Sequence, residues 1–171
     1  SGVNPSDIEL VMHGTTVATN AVLTGKGAKV GLVTTEGYES VLQVARSFCP
    51  GGLGGWTHFI KKPLLAPLEL TIGASGRIDA SGNEITPINE KQLQEDLQAL
   101  LSKNEVEALT ISLINSYINP EHEKTVKKIA ERIFKDIPIS ISSDVIPEMQ
   151  EYERAETTVL NSYVRPEVSK Y

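Results

Sequence analysis

The sequence has 171 residues, 40% apolar and 22% charged, which is enough for one sizeable core and predicts a single domain over residues 1–171. A net charge of −6 without any block of lysine and arginine excludes a surface built to grip nucleic acid. No apolar run approaches the roughly 20 residues of a bilayer span, and the basic-then-apolar layout of a signal peptide is missing, so a cytoplasmic protein without a membrane partner is expected.

The apolar run Ile8 to Met12 reads as a buried strand, and His13-Gly14-Thr15-Thr16 as the turn that follows it. A helix over about Val17 to Leu23 comes next and ends at Thr24-Gly25-Lys26-Gly27, whose glycines suit a left-handed C-cap. A turn of glycine and hydroxyl residues ahead of a helix gathers free N–H groups, hydroxyls and the positive end of the helix dipole, a corner suited to an anion. The competing reading is that Thr15, Thr16 and Thr19 cap the helix themselves. Lys29 to Thr34 is a second short apolar strand, and strand, helix, strand with a tight return predicts a parallel pair. Thr34-Thr35-Glu36-Gly37 is the next turn, and Tyr38 to Arg46 has helical spacing. Both turns then fall at strand C-terminal ends, the edge at which parallel sheets bind ligands.

From Ser47 to about Leu65 the periodicity is lost, and Cys49-Pro-Gly-Gly-Leu-Gly-Gly-Trp56 marks a long glycine-rich loop, with Trp56 as its anchor and His58 beyond it. The lone Cys49 cannot form an intrachain disulfide and reads as a small buried filler. Leu68 to Ile72 and Gly76 to Asp79 predict short hairpin strands, with a further turn at Asp79-Ala-Ser-Gly82-Asn83. Asn89 and Gln92 resemble a capping box ahead of a helix carrying Leu93, Leu97, Leu100 and Leu101. Val106 to Ile114, with hardly a polar interruption, suits a central strand buried on both faces. Asn119 and Pro120 are placed as cap and first residue of a helix with Val126, Ile129, Ala130, Ile133 and Phe134 inward. Ile139 to Ser142 is a short strand. Pro147 is expected to open the last helix, with Met149, Tyr152, Val159, Leu160 and Tyr163 inward and Glu148, Glu151, Glu153, Arg154 and Glu156 on the solvated face. His122 lacks the paired spacing of a metal ligand and is read as structural, so no metal site is expected from these residues.

Four motifs now stand in order: His13-Gly-Thr-Thr-Val-Ala-Thr-Asn-Ala, Lys29-Val-Gly-Leu-Val-Thr-Thr-Glu-Gly-Tyr38, Ser116-Tyr-Ile-Asn-Pro-Glu-His-Glu123, and Glu151-Tyr-Glu-Arg154 followed by Thr157 to Tyr163. Together they resemble the N-terminal domain of the hydantoinase A/5-oxoprolinase family over nearly the whole chain. The resemblance implies an α/β fold with a mainly parallel central sheet flanked by helices, part of an actin-like ATPase (ribonuclease H-like) fold. It implies ATP with magnesium as cofactor, and either the opening of cyclic amides such as hydantoins, 5-oxoproline or lactams, or the carboxylation of ketones such as acetone and acetophenone. A hydantoinase B-like subunit and the remainder of the family's own chain are the implied partners.

The family's usual opening, Asp-Thr-Gly-Gly-Thr-Phe-Thr-Asp on a first hairpin, has no counterpart here, and neither has its large central domain. The expectation is therefore a fragment that lacks parts of the ATP site and does not turn over alone; a role in subunit contact through the Trp56 loop is the non-catalytic alternative. The stretch Ser47 to Trp56 also departs from the Arg-Pro-containing version of ordinary hydantoinases, which leaves the substrate class open. Carried onto these positions, the resemblance makes His13 and Thr16 the candidate catalytic residues. Gly14, Thr15, Thr19, Asn20, Glu151 and Arg154 become candidates for binding substrate or nucleotide. Gly14, Thr15 and Thr16 would offer N–H and hydroxyl donors to an oxygen gaining charge, and His13 a hydrogen bond or a proton. For His13 a structural hydrogen bond at a strand end is the alternative, and for Glu151 to Arg154 a Glu–Arg network that holds the last helix.

Overall fold

A computed structural model describes residues 4, 16–49, 51–55, 60–103 and 105–170. The predicted strand Ile8 to Met12, the turn residues His13, Gly14 and Thr15, and Trp56 and His58 lie outside the described residues.

Four parallel strands form the central sheet, in the order β2 (Thr71–Ala74), β1 (Val30–Thr35), β5 (Ala108–Ser112), β6 (Ile139–Ile141). The mainly parallel α/β architecture and two of the predicted core strands are thus present. Every residue of β1 and β5 is buried, as their unbroken apolar runs require of strands covered on both faces. One face packs against α4 (Glu90–Ser102) and α5 (Glu121–Ile133), with Val33, Ile111, Leu97, Val126 and Ala130 at its centre. The other packs against α7 (Glu151–Val168), where Val30 and Leu32 meet Ala155, Val159 and Tyr163. The helix α1 (Val17–Thr24) lies against α7 and closes on Gly25, at φ +68°, before the chain turns into β1. Gly27 is dictated by contact: a Cβ there would fall 2.2 Å from the Tyr163 ring. Short helices α2 (Val41–Val44), α3 (Gly52–Gly55) and α6 (Ser142–Val145) complete the connections.

Several boundaries differ from the sequence expectation, each for a tertiary reason. Leu68 to Ile72 is not a hairpin strand: Leu68–Leu70 is a 3-10 turn, and β2 joins the parallel sheet beside β1. The hairpin is instead β3 (Arg77–Ile78) with β4 (Glu84–Thr86), closed by Asp79, whose carboxylate accepts from the Ser81 and Asn83 N–H groups. Only Val41–Val44 of the Tyr38 to Arg46 segment is helical, because Ala45 turns out at φ +50°. Asn89 caps α4 through the Gln92 N–H, yet the reciprocal half of the capping box is absent: Gln92 reaches Asp96, and the Asn89 N–H donates to Ser75 Oγ. Pro120 is the N-cap of α5, while Asn119 accepts from the Glu121 N–H and donates to Gly82 O. The last helix begins at Glu151 rather than Pro147, Met149 is exposed, and Arg154 lies in the core instead of on the solvated face.

Candidate functional site

The C-terminal ends of the sheet strands form the edge on which the polar residues collect. The chain leaves β1 toward β2 on one side and leaves β5 toward β6 on the other. The two connections diverge, so a crevice opens between the ends of β1 and β5, the place where open parallel sheets hold ligands. A narrow crevice with room for about one water lies there, lined by Thr34, Ser112, Tyr38, Glu151, Arg154 and Ala155 among others. The β3–β4 hairpin stands beside it. The Arg77 guanidinium sits 5.4 Å above the Tyr38 ring, Asn115 Nδ2 donates to Ile78 O, and His122 Nε2 lies 2.7 Å from Glu84 Oε1. His122, buried and paired with a hairpin carboxylate, holds the hairpin to α5, as its structural reading required.

Beneath the crevice lies a buried polar network. The Glu123 carboxylate, fully buried, accepts from the Leu113 N–H at 2.9 Å, the Ser143 N–H at 2.9 Å and the Ser142 hydroxyl at 2.5 Å. Ser142 Oγ in turn accepts from Arg154 Nε at 3.1 Å. Because its only proton goes to Glu123, the Ser116 hydroxyl 3.1 Å away must donate to it. Arg154 also donates to Glu148 O and Leu113 O and lies 5.6 Å from the Tyr117 ring centre. Burial lowers the Arg154 pKa, and the nearby Glu123 charge opposes that shift. The segment after β5 is thereby fixed, including Asn115 at φ +58°, and Thr35 Oγ1 takes the Ile114 N–H.

Of the candidate residues, Glu151 and Arg154 line the crevice, but the guanidinium of Arg154 is turned to backbone carbonyls and Ser142. The Glu–Arg network expected for Arg154 extends beyond its own helix: Glu123 of α5 joins it through Ser142, with the Glu151 charge nearby as well. Sequence spacing could not have found it, since the partners come from α5 and α6. Thr16, Thr19 and Asn20 form a separate group at the start of α1, all exposed. Thr16 is the N-cap residue but makes no side-chain cap bond; its hydroxyl accepts from Asn20 Nδ2 at 3.2 Å. The first turn of α1 holds no acidic residue, so no side-chain charge there offsets the positive end of the helix dipole. Among the described residues no hydrogen bond or ion pair joins these three to Glu151 or Arg154, and no three His, Cys, Asp or Glu side chains gather as metal ligands. His13, Gly14 and Thr15 lie outside the described residues. Thr34 and Ser112 were not singled out as ligands from the sequence, although the turn signal beginning at Thr34 was visible.

The comparisons with known proteins fit this architecture. Residues 1–134 match the hydantoinase/oxoprolinase N-terminal region. The chain belongs to this family. It is 32% identical to the acetophenone carboxylase gamma subunit of Aromatoleum aromaticum, over 92% of this chain and 23% of that protein. It is 31% identical to the caprolactamase subunit alpha of Pseudomonas jessenii, over 97% of this chain and 24% of that subunit. The crystal structure of the ATP-dependent caprolactamase from Pseudomonas jessenii superposes with a TM-score of 0.86 at 30% identity, covering 99% of this chain and 25% of that one. The chain therefore spans about a quarter of the length of the relatives it matches. Among the described residues no helix is long and apolar enough to cross a membrane.

Proposed function

We propose that the chain is the N-terminal part of an ATP-dependent enzyme that opens cyclic amides, hydantoins, 5-oxoproline or lactams, by way of a phosphorylated intermediate. The observation that carries this reading is the match to a caprolactamase subunit over nearly the whole chain, with the sheet and helices superposing on the caprolactamase structure. Phosphorylation of an amide oxygen makes a poor electrophile reactive, and such transfer depends on positioning and charge neutralisation. The part of this chain is to present Thr16, at the N-terminal end of α1, to an oxygen gaining charge, together with His13, Gly14 and Thr15, which precede it in the sequence. Thr19 and Asn20 complete this face, Asn20 by orienting the Thr16 hydroxyl. Among the described residues no three His, Cys, Asp or Glu side chains gather that could hold a magnesium ion. ATP and magnesium would serve the whole protein, a reading supported by the ATP-dependent caprolactamase that the chain resembles.

The gamma subunit of acetophenone carboxylase, at nearly the same identity, supports a second reading in which the scaffold serves an ATP-dependent ketone carboxylase. Both relatives are named as subunits, which supports a partner subunit of the hydantoinase B kind. The test is ADP release by the full-length protein with its partner subunit. Release driven by lactams or hydantoins supports the first reading; release that needs a ketone together with bicarbonate replaces it with the second.

A further inference from the structure

The helix α1 is exposed along a face that carries no charge. Among its residues Val17–Thr24 only Ala21 is buried, and Val17 is half-buried. The helix rests on α7, and its end is fixed there: the Ala28 N–H donates to Tyr163 O, and Gly27 lies against the Tyr163 ring. With about 3.6 residues per turn, Thr19, Val22 and Leu23 turn away from Val17 and Ala21. Val22 is 44% exposed and Leu23 77%. The outer face thus divides between a polar first turn, with Thr16 and Thr19, and an apolar second turn, with Val22 and Leu23.

The longer helices show what a solvated face looks like in this fold. Exposed positions carry Glu90, Lys91 and Glu95 on α4, and Glu121, Lys124 and Lys128 on α5. No Asp, Glu, Lys or Arg stands between Leu10 and Gly25. A single exposed leucine is ordinary on a protein surface. Adjacent Val22 and Leu23 on an uncharged helix are the pattern of an element that is covered, since charge is depleted at the centre of interfaces. A helix as short as α1 also gains little from its own hydrogen bonds and depends on packing.

The length of the relatives points to what covers it. This chain corresponds to 24% of the caprolactamase subunit alpha and 23% of the acetophenone carboxylase gamma subunit, and to 25% of one chain in the caprolactamase structure. In such a protein most of the same polypeptide lies outside this domain, tethered close to it and available for a permanent contact. A separately diffusing partner is steered and selected by charge, which α1 lacks, whereas permanent contacts resemble a core cut in half. We propose that Val22 and Leu23, with Ala18 on their flank, form the docking face for an apolar surface elsewhere on the same full-length polypeptide. The contact sets that surface one turn from Thr16 and Thr19 and gives the N-terminal end of α1 a second wall. The proposal rests on the reading of this chain as the N-terminal part of a longer enzyme, but not on which ring or ketone that enzyme acts on.

The test is thiol labelling of the full-length protein, purified without its partner subunit. Leu23→Cys and, as a solvated reference on α4, Glu95→Cys are treated with a maleimide, and the modified peptides are read by mass spectrometry. Leu23→Cys should react roughly tenfold more slowly than Glu95→Cys at every protein concentration, and equally fast once the protein is unfolded in urea. Equal rates in the folded protein would overturn the proposal. Slow labelling that appears only when the partner subunit is added would replace it with a subunit contact; slow labelling that appears only at raised protein concentration would replace it with a contact between two copies. Hydrogen exchange on the unsubstituted full-length protein gives a readout that relies on neither variant. The peptide spanning α1 should exchange on the slow timescale of β1, and rapid exchange there would also overturn the proposal. Either failure leaves the assigned reaction standing, because ADP release is measured separately.

Discussion

The start of α7 and the start of α1 lie at two ends of the same functional question, and they are built in opposite ways. At α7 the charged groups are turned inward: Arg154 is 1% exposed and every direction of its guanidinium meets a carbonyl, a hydroxyl or a ring. At α1 the side chains of Thr16, Thr19 and Asn20 are exposed, Thr16 makes no side-chain cap bond, and its hydroxyl accepts from Asn20 Nδ2. A motif that includes a strongly polar residue can therefore be scaffold, and one made of modest threonines can be the part left open to a ligand. Sequence spacing treats the two alike; burial separates them.

The sharpest way to break this contrast is to remove Arg154. Arg154→Met fills the space but leaves Leu113 O and Glu148 O without their donor and Glu123 without its compensating charge, which should cost about 3–5 kcal/mol of stability. Urea denaturation of parent and variant measures it. A loss below about 1 kcal/mol would place Arg154 among the residues free to serve a ligand. Glu123→Gln tests the other end. It keeps the shape but removes the charge and sets an amide N–H₂ against the donors of Leu113, Ser142 or Ser143, with an expected cost of about 1–3 kcal/mol. If Glu123 and Arg154 act through Ser142 as one unit, the double variant should lose less than the sum of the two single losses.

Thr16 gives the opposite signature. Since Thr16 makes no cap bond and is exposed, Thr16→Val should change stability by no more than about 0.5 kcal/mol. If its hydroxyl meets charge developing in the transition state, turnover of the full-length enzyme should fall roughly a hundredfold. Normal turnover with an unchanged melting temperature would withdraw Thr16 from the site.

How far the sequence could be read follows the same division. β1 and β5 were legible because strands buried on both faces carry apolar and hydroxyl side chains without a charge, and the C-cap of α1 because Gly25 must adopt a left-handed conformation. The Asn89 cap was half legible: the Gln92 N–H bond is local, but the rest of the capping box lost to Ser75, a partner 14 residues away. β2 was misread as part of a hairpin because four residues carry too little pattern to tell a parallel partner from an antiparallel one. The inward turn of Arg154 and the burial of Glu123 were hidden for a stronger reason. Both sit among charged helix neighbours, and only contacts among α5, α6 and α7 draw them out of that pattern. Thr34 and Ser112 became visible as a pair only once the register of β1 and β5 was known.

The smallest expected effect sharpens the comparison within α7 itself, where Tyr152 stands beside Arg154 but is not sealed in the core. The Glu156 carboxylate next to its phenol, and then burial, push the Tyr152 pKa from its ordinary 10.0 up to about 12. A raised phenol pKa means that the folded state holds its proton more tightly than the unfolded chain. Below pH 10 both states are protonated, and the contribution is fully present. Between pH 10 and about 12 the unfolded chain releases the proton while the folded protein keeps it, so stability falls as pH rises, with no further change above the folded pKa. Tyr152→Phe has no proton to lose, and its stability should fall less steeply than the parent's over that window while the two differ little at pH 7. Urea midpoints at pH 9, 10 and 11 read the difference directly, because alkaline losses from other groups are common to both proteins and cancel. Parallel curves would mean that Glu156 does not hold the phenol.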